Sequence, residues 1–184
     1  MNILPVPFIR QIHIDSCGAA ALEMVYKYYG IENISQEEIF NGSKKHDIGN
    51  GRFILKEETL VSDAENRDFC AQILQFTFEN IKDMAETLNV SIECKIPLIV
   101  CQQSEENSVL GHYRIVIGVD KKNIYFQDPN MRKNFKYMKW PHEKFFNHWK
   151  PNGKTVLGNT CTIITKKGTK VPYVIQNTVS QEYN

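Results

Sequence analysis

The spacing of apolar residues changes once along this chain, near residue 90, and that change sets the class of fold. Before it, the period is helical. Cys17 to Tyr29 carries three successive alanines and places Ala21, Leu22, Val25 and Tyr29 on one face, which predicts a helix. Asp15 or Ser16 is expected to cap its start and Gly30 to stop it. Ser35-Gln-Glu-Glu38 is a capping-box pattern and predicts a second, short helix. Thr77 to Leu88 repeats Phe78, Ile81, Met84, Ala85 and Leu88 at helical spacing, with Asn89 at its end. Between these, Gly42, Gly49 and Gly51 stand among charges without a period, so residues 41–63 read mostly as loop and Asp63 to Phe76 as a further helix. After residue 90 the pattern is that of strands. Val90 to Glu93, the apolar run Ile96 to Cys101, the β-branched Tyr113 to Val119, Asn123 to Gln127 and Thr160 to Thr165 are the expected ones. Gln102 to Leu110 reads as a polar loop and Trp140 to Trp149 as one or two helical turns. Helices first and strands second is an α+β arrangement, not an alternating βαβ one. The 184 residues suit one domain. Its expected extent is 1–170, with a helical lobe over about 1–89, a β lobe over about 90–170, and a loose tail at 171–184.

Charge and composition remove several classes of function. The chain has 22 basic and 21 acidic residues, a net charge of +1, so electrostatics offers no nucleic acid or anionic membrane as partner. No run approaches the ~20 apolar residues that cross a bilayer. Met1 to Arg10 holds two prolines and no basic segment leading into an apolar core, so no signal peptide and a cytoplasmic location are expected. The five cysteines are odd in number and form no CxxC pair, which argues against a disulfide framework and a zinc knuckle.

One cysteine is placed for chemistry. Cys17 begins the first helix, where free N–H groups and the helix dipole favour a thiolate. Gly18 leaves room for a substrate backbone. A base must come from elsewhere in the chain, and His112 is the best placed of five histidines, at Leu110-Gly-His112-Tyr-Arg, where a polar loop enters an apolar strand. Asp128 ends the next strand in Gln127-Asp128-Pro129 and reaches the same sheet end if the two strands form a hairpin, where it would orient the imidazole. Gln11, six residues before Cys17, lets the loop fold its amide back toward the thiol as an oxyanion donor together with the Cys17 N–H. Each of these features alone reads more simply: a buried thiol, a strand-edge histidine, a turn aspartate, a loop glutamine. Their conjunction carries the reading.

These residues resemble the C39 and C39-like peptidases of the papain-like cysteine protease clan. The likeness rests on Gln11-x5-Cys17-Gly-Ala-Ala-Ala-Leu-x-Met, Pro97-Leu-Ile-Val, Gly111-His112-Tyr-x-Ile-Val-Ile-Gly-Val-Asp, Ile124-Tyr-Phe-Gln-Asp128-Pro and Phe145-x3-Trp149, in that order. It implies a papain-like fold, a helical lobe packed on an antiparallel sheet lobe with a cleft between. It implies Cys17, His112 and Asp128 as the triad and Gln11 at the oxyanion hole. Gly18 and Gly111 are the expected substrate-binding residues. A peptide or protein is the implied substrate, with no metal or organic cofactor. The best-known C39 domains are fused to a membrane exporter and an ATPase and cut leader peptides after Gly-Gly. Here no Gly-x4-Gly-Lys-Ser/Thr motif occurs, so any exporter is expected as a separate partner. The same acyl-thioester chemistry serves acyl or aminoacyl transfer or isopeptide and amide hydrolysis, and a non-catalytic peptide-binding module is the third reading.

The remaining candidates read more plainly. His46-Asp47 resembles a metal pair but sits among lysines and glycines, as in a solvated loop. His13 alternates with Ile12 and Ile14 on an extended segment. His142 and His148 are read as surface or packing residues, and Cys70, Cys94, Cys101 and Cys161 as core. Phe135, Tyr137, Trp140, Phe145, Phe146 and Trp149 are expected to pack the β lobe. Region 42–76 is expected to be a tolerated insertion, or else a lid or substrate-binding loop.

Overall fold

The computed structural model describes residues 2–77, 80–131, 136–153, 155–156 and 158–172. The fold is α+β. Helix α1 (Cys17–Tyr28) and α2 (Gln36–Gly42) come first, then a hairpin of β1 (His46–Gly49) and β2 (Arg52–Ile54), α3 (Glu57–Asn66) and β3 (Phe69–Gln75). They are followed by α4 (Ile81–Glu93), β4 (Leu98–Gln103), β5 (Gly111–Val119), β6 (Asn123–Gln127), β7 (Met138–Pro141), α5 (His142–Trp149) and β8 (Thr160–Lys166). The main sheet has six strands in the order β3-β8-β4-β5-β6-β7, every pair antiparallel.

Helix α1 is buried from Cys17 through Tyr26, because its alanines let it lie close against its neighbours α2, α3 and β5. Its stop is as expected: Gly30 takes φ +94°, and Ile31 N–H donates to the Tyr26 carbonyl at 3.0 Å. Ser35 caps α2 by accepting from Glu38 N–H. Strands β4, β5 and β6 are buried on both faces, which is why they read as continuous apolar runs.

Several expectations are corrected. Residues 46–54 form a hairpin, not a loop, turned by Asn50-Gly51 at φ 56° and 71°, the backbone a two-residue turn needs. The helix expected over Asp63 to Phe76 is instead the end of α3 followed by β3, whose seven residues pair throughout with β8. Val90 to Glu93 is not a strand: α4 continues to Glu93, since Ser91 and Ile92 extend the buried stripe of Met84 and Leu88. That helix starts at Ile81, where Asn80 accepts from Asp83 N–H. Trp140 and Pro141, expected in the helical turns over Trp140 to Trp149, belong instead to strand β7, where they pair with Ile124 and Asn123, and the helix starts at His142. Phe78, Phe135 and the tail beyond residue 172 lie outside the described residues.

Candidate active site

Cys17 is the first residue of α1, and its neighbours are arranged to leave that end open. Ser16 stands at the cap position but turns its hydroxyl away, donating to the His13 carbonyl at 3.0 Å and accepting from His13 N–H. Asp15 does not cap either; it binds Arg52 of β2 through two bonds of 2.6 and 3.0 Å. The loop before Cys17 is instead stitched from below. Buried Gln36 donates to the Arg10 carbonyl at 2.8 Å and accepts from Ile12 N–H at 2.9 Å. Gln11 N–H donates to the Pro129 carbonyl at 2.9 Å, which ties this loop to the residue beside Asp128.

His112 is the second residue of β5, and Asp128 follows the last residue of β6. The β5–β6 pairing brings them together: His112 Nε2 lies 2.6 Å from Asp128 Oδ1, both residues buried. A carboxylate at Nε2 keeps the proton there and leaves Nδ1 for the thiol. Cys17 and His112 border the same cavity, and each shifts the other's titration. The fold thus brings together the three side chains that the sequence pointed to.

The same reasoning missed Arg114. Its guanidinium is buried over the Trp140 ring at 4.9 Å and donates through Nε to Asp128 Oδ2 at 2.8 Å. The carbonyls of Gln103 and Ser104 hold its other nitrogens. Asp128 is thus gripped from both sides, and Asn130 N–H adds a third bond to it at 2.9 Å. The signal was in the sequence: His112 and Arg114 are two apart on a strand, so they share a face.

Electrostatics follows from this geometry. Burial pushes the Asp128 carboxyl up, but the His112 bond and charge and the Arg114 charge outweigh it and hold the group well below the usual carboxylate range. Burial also opposes the Cys17 thiolate. The hydrogen bond and charge of His112, with the backbone N–H groups of Tyr113 and Gly18, overcome that and lower the thiol. His112 is raised: burial works against its charge, yet Asp128 and Cys17 hold the imidazolium. Both shifts act in the direction of a thiolate–imidazolium pair.

Gln11 and Gly111 line the same cavity of about 260 Å³ as Cys17 and His112. Gln11 Nε2 donates to the carbonyls of His13 and Ile14 at 2.9 and 2.8 Å, and its Oε1 is buried without a partner. Gly18 faces the core: a Cβ there would meet Leu55, Leu60 and Tyr113, each at 3.3 Å. Its missing side chain makes room for the packing of α1. Gly111 has no room at all, since a Cβ would lie 2.4 Å from the Thr155 carbonyl.

The other candidates lie apart. His13 and His46 are exposed, His142 binds the Asp120 carbonyl, and His148 packs beside Trp140. Cys101 and Cys161 are buried, whereas Cys70 and Cys94 are exposed, which corrects their expected place in the core. Cys70 sits on a sheet-edge strand and Cys94 just past a helix end, where apolar sequence neighbours do not ensure burial.

A family model described as the Peptidase_C39 like family matches residues 3–157. Among solved structures, a Bacillus anthracis protein assigned as a C39-like peptidase superposes with a TM-score of 0.67 at 20% identity, covering 92% of this chain and 98% of its own. The peptidase domain of Streptococcus ComA, a bi-functional ABC transporter of a quorum-sensing pathway, gives 0.65 at 21%, covering 88% and 99%. A double glycine motif protease from an AMS/PCAT transporter, solved with its leader peptide, gives 0.63 at 22%, covering 90% and 95%. No curated protein matches the sequence significantly.

Proposed function

The chain belongs to the Peptidase_C39 like family, and from that premise we propose that it is a cysteine peptidase acting through Cys17, His112 and Asp128. The observation that carries the proposal is the convergence of Cys17, at a helix N-terminus, and the Asp128-bound His112 on one cavity.

The steps follow from what each group holds. The Cys17 thiolate attacks the scissile carbonyl and a C–S bond forms, with the carbonyl electrons moving onto oxygen. As the oxyanion collapses, the C–N bond breaks and His112 gives its proton to the departing amine. Water then attacks the thioester, His112 takes its proton, and the thiolate leaves. Asp128 keeps Nε2 protonated throughout and so aims Nδ1 at sulfur. The Cys17 N–H is the natural oxyanion donor. Gln11 joins it when the substrate draws one Nε2–H away from a loop carbonyl. Gly111 gives the cavity a flat backbone wall beside His112. The neighbour solved with its leader peptide supports a peptide as substrate. Among the described residues no helix is long and apolar enough to cross a membrane.

Peptide-library cleavage read by mass spectrometry, comparing the native chain with Cys17→Ala, tests this. New termini from the native chain and none from a folded Cys17→Ala are expected. Equal cleavage by both would sink the assignment.

A further inference from the structure

The cleft has a second arm. Cys17, Ile54, Gly111 and Thr155 border both it and the cavity that holds His112. This second cavity, of about 300 Å³, is walled by Leu55, Glu57, Cys101, Gly111 and Tyr113, with the exposed His46, Lys56 and Glu58 at its mouth. Glu57 is the unusual member. It is only 6% exposed, and its Oε1 has no hydrogen-bond partner. Among the described residues no basic side chain forms an ion pair with it. A buried carboxylate oxygen without a partner is costly, and such a group in a native fold calls for an explanation.

The surroundings define what is missing. Glu57 is the first residue of α3, a ten-residue helix whose N-terminal dipole favours negative charge there. The Cys101 thiol and Tyr113 hydroxyl beside it stay neutral, because burial and then the Glu57 charge push both well up. The pocket therefore holds one buried acidic group that has no ion-pair partner among the described residues and that burial pushes up, in a cavity the nucleophile also borders. An apolar stem fits along Leu55 and the Tyr113 ring, and a positive head both donates to the unpartnered oxygen and offsets its charge.

Resting on the peptidase reading above, we propose that this arm is a specificity pocket for a basic side chain, lysine or arginine, of the substrate residue next to the scissile carbonyl. Glu57 is its charged partner.

The test uses three tripeptidyl chloromethyl ketones, identical except for lysine, glutamine or norleucine at the last position. The rate at which each alkylates Cys17 is read by intact mass. The native chain is expected to react at least tenfold faster with the lysine reagent than with the other two. Glu57→Gln, which keeps volume and removes charge, is expected to bring the lysine-to-norleucine ratio close to one. Equal rates in the native chain overturn the proposal, as does a ratio unchanged in Glu57→Gln; a pocket filled by water alone gives the first result. If Glu57→Gln does not fold, Glu57→Asp replaces it, and a ratio as large as the native one counts against the pocket. Iodoacetamide at pH 6 on the native chain separates the failures: a Cys17 no faster than a free thiol undoes the peptidase reading, while a fast one with no lysine preference undoes only the pocket.

Discussion

At the scale of single residues, the site depends on how firmly Asp128 is held. Its two oxygens are divided between His112 and Arg114, at 2.6 and 2.8 Å. Arg114→Leu leaves that carboxylate with one cationic partner fewer. Breaking a buried pair from one side costs about 3–5 kcal/mol, and the expected result is a loss of that order in chemical denaturation with a reduced kcat. Arg114→Lys keeps the charge but not the fork, so it is expected to recover stability more than activity. The pH–rate profile of kcat/KM carries a second expectation. Cys17 is lowered and His112 raised, so the profile is expected to have its acid limb below the free-thiol range and its alkaline limb above the free-imidazole range. Activity falls on the acid side as Cys17 gains a proton and on the alkaline side as His112 loses one. A single-sided profile would contradict the pair. The nucleophile, base and orienting carboxylate were readable in sequence because each sits in a local motif whose chemistry is local. Arg114 shares the strand face of His112, two positions on, but its carboxylate partner lies fourteen residues further along and no local motif joins them. Glu57 had no sequence signal, because its burial and its unpartnered oxygen arise only from packing.

At the scale of elements, legibility followed the range of the forces. Helices α1 and α4 declare themselves by apolar stripes, and strands β4 to β6 by burial on both faces. Strand β3 does not, because its pairing partner β8 is about ninety residues away and no local pattern records it. The β1–β2 hairpin escaped notice for another reason: its strands are only four and three residues long and half exposed, so they show no alternation beyond the Asn50-Gly51 turn. That hairpin is fastened over the Gln11–Cys17 loop by Arg52 and Asp15, and both residues line the candidate cleft. Arg52 is partly exposed, so the bond guides position more than it stabilises the fold. Asp15→Asn is accordingly expected to leave the melting temperature nearly unchanged while speeding limited proteolysis at Asn50-Gly51. Peptide mapping of the nicked chain checks this. An unchanged cleavage rate would mean that the hairpin is held by its own turn and by packing alone.

At the scale of the whole molecule, the site is a product of assembly. Cys17 comes from a helix near the start of the chain, and His112 and Asp128 from the middle of a six-stranded sheet. Their contact exists only once α1 has docked on β5, so the protonation of the site is linked to folding as a whole. The signs are opposite for two of its members. Asp128 is held well below its unfolded value of about 3.9, so its contribution is present above that pH and fades as pH falls toward the depressed native value. His112 is raised above its unfolded value of about 6.5, so its contribution is full below that pH and is lost as pH climbs through the raised native value. Both act fully only between about pH 4 and pH 6.5. Cys17 has the opposite sign to His112: lowered in the fold, it contributes fully above its unfolded value of about 8.5 and less as pH falls. The net expectation is therefore on the acid side, where the native chain loses heat stability as pH falls below about 4. Asp128→Asn removes the depressed carboxylate and one of the two partners that raise His112, so it is expected to flatten that loss as well as lower the melting temperature. Thermal melts from pH 3 to pH 9 on both chains make the comparison. A native curve without the acid loss, or an Asp128→Asn curve parallel to it, would mean that other titrating groups control stability and that the site is electrostatically decoupled from the fold.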